Sequence, residues 1–539
     1  MVTDADGQVV IIGAGPAGLT AAYELTKFNM CPIVLEKGDK VGGLSRTEVY
    51  KGFYFDMGGH RFFTKVEEVQ VIWRALLGDQ LLRRSRLSRI HYAGTFFHYP
   101  LKPVDALRGL GLWESVLVVI SYLRWQLFPS RCEETYEQWV TNRFGRRLFR
   151  TFFKTYTEKV WGISCSELQS EWAAQRIKDL SLKTALLSSI LKPRTAIRTL
   201  IEEFDYPQLG PGMMWTAAHD EIERRHGVVR LNSDVIRVNR SGNRIESVVV
   251  ECNKKEEVIG GTAFISSMPI TELVMKMCPS QPDVVAAAKN LTYRDFLIVG
   301  LIIDQPDVFP DNWIYIHSSE VQVGRIQNFK NWSPSMVPDQ RKTSLGLEYF
   351  CTEGDQLWAM SDAELIELGK QEVERTGLAR YADVEDGCVF RVPKAYPVYD
   401  SQYRDYLAVV REFVDSHENL QTIGRNGLHR YNNQDHAMLT GMFAARNLVL
   451  GEKNDLWRVN VDQEYHEEIA TVAMSRQNNS RMTRGWSRRV VACRRDATRE
   501  TSVGTMEDQH PLTRTVGTDQ EYSIDRVAGG RAGGREGGE

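Results

Sequence analysis

The stretch "QVVIIGAGPAGLTAAYELTKFNMCPIVLEK", residues 8–37, reads as strand, tight glycine turn, helix and second strand, the opening of a βαβ unit. Gly13, Gly15 and Gly18 stand as G-x-G-x-x-G between a strand at Val9 to Ile12 and a helix beginning near Ala17. The first glycine permits the turn, the second lets backbone approach a pyrophosphate, and the third lets helix and strand pack closely. Glycine turns also occur for structural reasons alone. The second strand, however, ends in Glu36, where a carboxylate can accept hydrogen bonds from ribose hydroxyls, so the segment reads as a dinucleotide site.

Working outward, the class is α/β, and the pattern changes several times along the chain. Residues 8–104 form the first part of the nucleotide domain. From 105 to 205 the sequence turns helical and aromatic, as in "YEQWVTNRFGRRLFRTFFKTYTEKVWG" at 136–162, and reads as a mainly helical inserted domain. Residues 206–290 carry short β runs that return to the nucleotide domain, with "FISSMP" at 264–269 as the return strand. Residues 291–420 alternate strands with a helix near 361–376, as expected of a sheet-based substrate domain, and 421–477 close the nucleotide domain. Beyond 478, Arg, Gly, Thr and acidic residues dominate, and this tail is expected to be disordered.

Composition narrows the function. The 539 residues are 42% hydrophobic and 25% charged with a formal charge of −3, which gives no basic field for nucleic acid. Eight scattered cysteines without a CxxC pair argue against a zinc site and favour a reducing, cytoplasmic setting. The N-terminus lacks the pattern of a signal peptide. The run "SVLVVISYLRWQLF" at 115–128 is shorter than the roughly 20 residues that span a bilayer and is expected to be a buried helix, with interfacial membrane contact as the alternative, so no integral membrane segment is expected.

"EKGDKVGGLSRT" at 36–47 adds a second glycine pair, Gly42 and Gly43, followed by Ser45 and Arg46. This resembles the large FAD family containing amine oxidases, protoporphyrinogen oxidases, phytoene desaturases and UDP-galactopyranose mutases. The resemblance makes the Rossmann-type domain an FAD-binding domain. Within the family, "FDMGGHRFF" at 55–63 resembles the histidine loop of the mutases, carried here by Gly58, Gly59 and His60. In those enzymes the loop lies against the flavin ring, which backbone approaches most closely where no Cβ intervenes.

Further segments fit the mutases. "YTEKVWG" at 156–162 and "QSEWAAQRI" at 169–177 resemble the part carrying an aromatic wall and a diphosphate arginine, giving Trp161 and Arg176. "VGRIQNFKNWSP" at 323–334 supplies a second diphosphate arginine, Arg325, and "AYPVYD" at 395–400 supplies Tyr396, with Tyr399 in reserve. "GRNGLHRYNNQDHAMLTGMFAARNL" at 424–448 places Arg425, Gln434 and Asp435 by the flavin and Tyr431 on the substrate diphosphate. Plainer readings stand beside these: surface ion pairs for the arginines, a core position for the tyrosine, an N-cap for Asp435. "FHYPLKP" at 97–103 departs from the mutase pattern, since Lys102 follows Tyr99, and this leaves the sugar and base contacts open.

The resemblance implies a mutase interconverting pyranose and furanose forms of a nucleotide-diphosphate sugar through nucleophilic N5 of reduced FAD, with NAD(P)H or another donor reducing it. His60, Arg176 and Arg325 would act in catalysis, and Tyr99, Lys102, Trp161, Tyr396 and Tyr431 would bind substrate. The alternative is an FAD-dependent oxidoreductase, protoporphyrinogen oxidase-like, on another substrate. No metal is implied, and a homo-oligomer is compatible with all of this.

Overall fold

Val9–Ile12 is an unbroken apolar run, and it lies in the middle of a five-stranded parallel sheet, buried along its length. The sheet runs Leu420–Thr422, Ala263–Ser266, Val9–Ile12, Ile33–Leu35, Val228–Arg230. The return strand expected at "FISSMP" is therefore Ala263–Ser266, registered on the first strand. This computed structural model describes residues 7–99, 101, 103–170 and 203–460; Lys102, Arg176 and the tail from 478 lie outside them.

The helix Pro16–Thr26 starts where sequence chemistry dictates, with Gly15 as N-cap and Pro16 in the first turn, where a missing N–H costs nothing. A Cβ on Gly18 would lie 1.9 Å from the Gly13 carbonyl oxygen, so only glycine lets this helix sit on its strand. Its outer side meets the helix Gln434–Leu450. There a Cβ on Gly441 would lie 2.3 Å from the Ala17 carbonyl oxygen, and small residues on both helices allow the approach.

The strands between 234 and 260 leave the nucleotide sheet. Asp234–Ser241, Arg244–Cys252 and Lys255–Gly260 form an antiparallel meander, joined by Met277–Cys278 into a separate four-stranded sheet. A third sheet of seven strands runs Val384–Pro397, Tyr293–Ile303, Thr343–Cys351, Arg325–Asn328, Trp313–Ile316, Ser88–Tyr92, Thr95–His98. Tyr293–Ile303 is almost continuously apolar because it is central and covered on both faces, one cover being the helix Asp362–Arg375, capped by Ser361 and Glu364. Its last two strands come from residues 88–98, far earlier in the chain.

The segment 103–161 is helical, as expected, with Tyr136–Phe144 opened by a Thr135–Gln138 capping box. One expectation fails there. The run at 115–128 belongs to the helix Leu112–Leu127, of which only Val118 and Tyr122 are fully buried, while an apolar face points outward. One side of the helix is wholly apolar and the rest mixes apolar residues with Glu114, Ser115, Ser121, Arg124 and Gln126, a pattern that suggests burial of the apolar side, whereas the mixed side is the one covered. Among the described residues no helix is long and apolar enough to cross a membrane.

Candidate functional site

At the carboxyl ends of the parallel strands, where open α/β sheets bind ligands, a cleft of about 370 Å³ runs from Glu36 to Arg325. Gly13 turns the chain with φ +97° while its N–H donates to the Leu35 carbonyl at 2.8 Å. Gly43, at φ +52°, backs onto Gly15: a Cβ there would stand 3.2 Å from the Gly15 Cα. The two glycine turns thus bare the N-terminus of Pro16–Thr26, whose first turn carries no acidic residue, as an anion bed. Glu36 sits at the next position along the cleft, its carboxylate accepting the N–H groups of Ala14 and Gly38, each at 2.8 Å. Ser45 is buried at the end of the second turn.

The histidine loop follows the strand Phe53–Asp56. Gly58 takes φ +102°, a conformation that L residues with a Cβ rarely adopt, and a Cβ on Gly59 would lie 2.8 Å from Gln327 Nε2. The loop's own turn and the side chain beneath it thus each favour glycine here, beside the expected clearance for a ring. His60 Nε2 lies 3.0 Å from the Met57 carbonyl and Nδ1 lies 3.5 Å from Ser45 Oγ, so the ring braces the loop against the second glycine turn. Burial, reinforced by the Arg425 and Arg325 charges, brings the His60 pKa down to about 4 against its hydrogen bond to Met57, and the imidazole is neutral at pH 7.

Behind the loop, Asp56 accepts Thr47 Oγ1 at 2.9 Å and the Tyr206 hydroxyl, and burial raises its pKa to about 7 although those bonds oppose the rise. Arg325 donates Nε and Nη2 to Glu348, which also accepts Gln327 Nε2 at 2.8 Å. Burial works against the Arg325 charge, but Glu348 outweighs it and keeps the guanidinium cationic. Arg325 is an ion pair, yet one with a buried partner and its own side facing the cleft.

The far wall is aromatic. Tyr396 and Tyr431 stack at 5.7 Å and 9°, with Arg425 over both rings and tied to the carbonyls of Asn432 and Ala395. Burial holds the Tyr396 hydroxyl protonated. Tyr399 is engaged elsewhere, accepting the Tyr431 N–H at 2.6 Å. Trp161 does not line the cleft but backs this pair, 6.2 Å from Tyr396 and 6.4 Å from Tyr431. Tyr99 also lies off the cleft, against Tyr315 at 4.8 Å.

Gln434 and Asp435 open the helix Gln434–Leu450 and line the cleft, but the N-cap is Asn433, in a capping box with His436. Both amide atoms of Gln434 are buried without a hydrogen-bond partner among the described residues, as is Oδ1 of Asn426. Buried polar atoms of this kind await partners, and a flavin ring edge offers donors and acceptors. The glycine bed, Glu36 and the orphaned Gln434 amide together fit a flavin dinucleotide. Among the described residues no three His, Cys, Asp or Glu side chains could hold a metal.

The structure thus gathers Gly13, Gly15, Glu36, Gly43, Ser45, Gly58, Gly59, His60, Arg325, Tyr396, Arg425, Tyr431, Gln434 and Asp435 around one cleft, with Gly18 packing just behind. Sequence reasoning missed Asp56, Gln327 and Glu348. Glu348 had a signal, a lone acid inside the apolar strand "SLGLEYF" at 344–350.

The family model for flavin containing amine oxidoreductase matches residues 16–449. Coproporphyrinogen III oxidase of Mycobacterium leprae (strain TN) is 24% identical over 434 residues, covering 74% of this chain and 90% of that protein. Among solved structures, a reduced UDP-galactopyranose mutase superposes with a TM-score of 0.73 at 21% identity, over 85% of this chain and 99% of that one. A CLA-producing fatty acid isomerase from P. acnes superposes with a TM-score of 0.55 at 14% identity, over 83% and 99%. At such identities the solved structures establish the shared fold.

Proposed function

Because this chain belongs to the flavin-containing amine oxidoreductase family, we propose that it holds FAD in the cleft and interconverts the pyranose and furanose forms of a nucleotide-diphosphate sugar. Bound and reduced by NAD(P)H or another donor, the flavin supplies a nucleophilic N5 to the anomeric carbon with no net redox change. The helix Pro16–Thr26 takes the cofactor pyrophosphate at its N-terminus, Glu36 the ribose hydroxyls, and Gln434 the ring edge. Neutral His60 braces the Gly58–Gly59 turn and carries no charge of its own at pH 7. Arg325, Tyr396 and Tyr431, with Arg176, hold the departing diphosphate close for the return step.

One observation carries this reading: the cleft beside His60 is lined by Arg325, Tyr396 and Tyr431, a cationic and hydrogen-bonding set suited to a diphosphate, where a carotenoid needs an apolar tunnel. The test is anaerobic. Dithionite-reduced protein is offered a panel of nucleotide sugars, and the products are separated by chromatography. An isomer formed only by reduced protein, without stoichiometric flavin oxidation, is expected; no conversion of any nucleotide sugar would overturn the reading.

A second reading, a net oxidoreductase, draws support from Glu348. Its carboxylate offsets the Arg325 charge and leaves less attraction for a diphosphate. The likeness to a coproporphyrinogen oxidase points the same way. Oxygen or acceptor consumption with a non-nucleotide substrate would decide for it.

A further inference from the structure

The helix Leu112–Leu127 turns a continuous apolar stripe to solvent. Leu112, Trp113, Leu127 and Phe128 are 85%, 75%, 73% and 75% exposed, and Val116, Val119, Ile120 and Leu123 lie exposed between them. At 3.6 residues per turn, those from Leu112 to Leu127 fall within one arc of about 120° along roughly 24 Å of helix. Isolated exposed apolar side chains are ordinary, but a contiguous stripe of this length marks a contact surface.

The opposite face is anchored. Val118 and Tyr122 are buried, Ser121 Oγ accepts the Arg147 N–H at 3.1 Å, and Gly145 fits where a Cβ would lie 2.9 Å from the Tyr122 backbone. The stripe is thus presented by a helix packed on the rest of the domain, too short to span a bilayer of about 30 Å.

Charge selects the occupant. Arg124, on the same helix at the edge of the stripe, and Arg108, on the helix Pro103–Leu110 that packs against it, are exposed and make no ion pair among the described residues. Of the acids close in sequence, Glu114 and Glu133 are bound to Arg147 and Arg143, and Glu134 is exposed beyond the C-terminal end of the helix. The flank that carries Arg108 and Arg124 is therefore cationic. A second copy docked face to face about a twofold axis would set arginines against arginines, whereas an anionic phospholipid surface offers phosphates to this flank and an acyl boundary to the stripe. We propose that this helix docks the protein on the surface of an anionic phospholipid membrane, lying in the interfacial plane.

Vesicle co-sedimentation of the full-length protein tests this. Binding is expected to vesicles of phosphatidylcholine mixed with phosphatidylglycerol, weak or no binding to phosphatidylcholine alone, and loss at high salt. Val116→Asn, Ile120→Asn and Leu123→Asn together should abolish it with flavin content unchanged. Arg108→Glu with Arg124→Glu, two exposed positions that leave the packing alone, should weaken it about tenfold or more. Protein remaining in the supernatant with both vesicle types would overturn the proposal. So would a dimer in solution that the Asn substitutions dissolve while no vesicle binds, because the face would then be a self-interface.

Discussion

Arg325 directs both Nε and Nη2 onto one oxygen of Glu348, at 2.8 and 2.5 Å, and that carboxylate has no solvent exposure. Its other oxygen holds Gln327 beneath Gly59. A single buried acid thus sets both the charge that faces the cleft and the floor of the histidine loop. Removing one member of such a pair leaves the other charge uncompensated. Glu348→Gln should therefore lower stability by about 3 kcal/mol or more in denaturant titration. The same variant should bind UDP more tightly than the parent, since Arg325 loses its counter-charge. Unchanged UDP affinity would show that Arg325 does not address the diphosphate.

Gly58 sits at φ +102°, and a Cβ there would meet Arg325, His60 and Phe296 only at an ordinary 3.8 Å, so backbone strain rather than collision decides what a Cβ does. Gly58→Val should cost roughly 1–3 kcal/mol in the loop and reduce flavin content per mole of purified protein. Gly58→Asn, which tolerates positive φ better, should retain more flavin than Gly58→Val. Equal, full flavin occupancy in both variants would remove the loop from the cofactor's surroundings.

His60 and Asp56 give opposite pH signatures. The His60 pKa falls from the ordinary 6.5 to about 4, so between those values the unfolded chain binds the extra proton and stability declines as pH falls. Asp56 rises from 3.8 to about 7, so there the folded chain binds the extra proton and stability declines as pH climbs toward and past 7. Relative to the parent, Asp56→Asn should thus fare better at pH 8.5 than at pH 5. His60→Asn should fare better at pH 5 than at pH 7.5. Thermal midpoints of the three proteins across that range check both signs.

The nucleotide half of the site was readable because its chemistry is local. Three glycines and an acid within one βαβ unit each answer a backbone or ribose requirement that short spacing encodes. The histidine loop was readable as a motif, yet the reason for Gly59 was not, since Gln327 lies over 260 positions away on another sheet. Glu348 and Asp56 escaped for the same cause: their partners Arg325 and Tyr206 meet them through strand pairing and packing that no window of sequence displays. Strand order was likewise hidden, as Ser88–Tyr92 pairs with Trp313–Ile316 across more than 200 residues. The outward face of Leu112–Leu127 was misjudged because apolar composition measures how much could be covered, not what covers it.

Gly441 tests the link from packing to cofactor most directly. It lies on Gln434–Leu450 where that helix crosses Pro16–Thr26, and both helices begin at the cleft, one with Gln434 and the other with the glycine bed. A Cβ would stand 2.3 Å from the Ala17 carbonyl oxygen and 3.0 Å from the Ala21 nitrogen, backbone atoms that cannot rotate away. Gly441→Ala must therefore separate the two helices, and their N-termini can no longer grip the two ends of one ligand at the same spacing. The expected result is a lower thermal midpoint together with flavin affinity weakened about tenfold, equivalent to about 1.4 kcal/mol, measured by fluorescence on reconstituting the apoprotein. Ala444→Gly on the same helix, which removes bulk instead of adding it, should lower stability without that loss of affinity. If Gly441→Ala loses stability and keeps its flavin affinity, the two helix ends do not act on the cofactor as a pair.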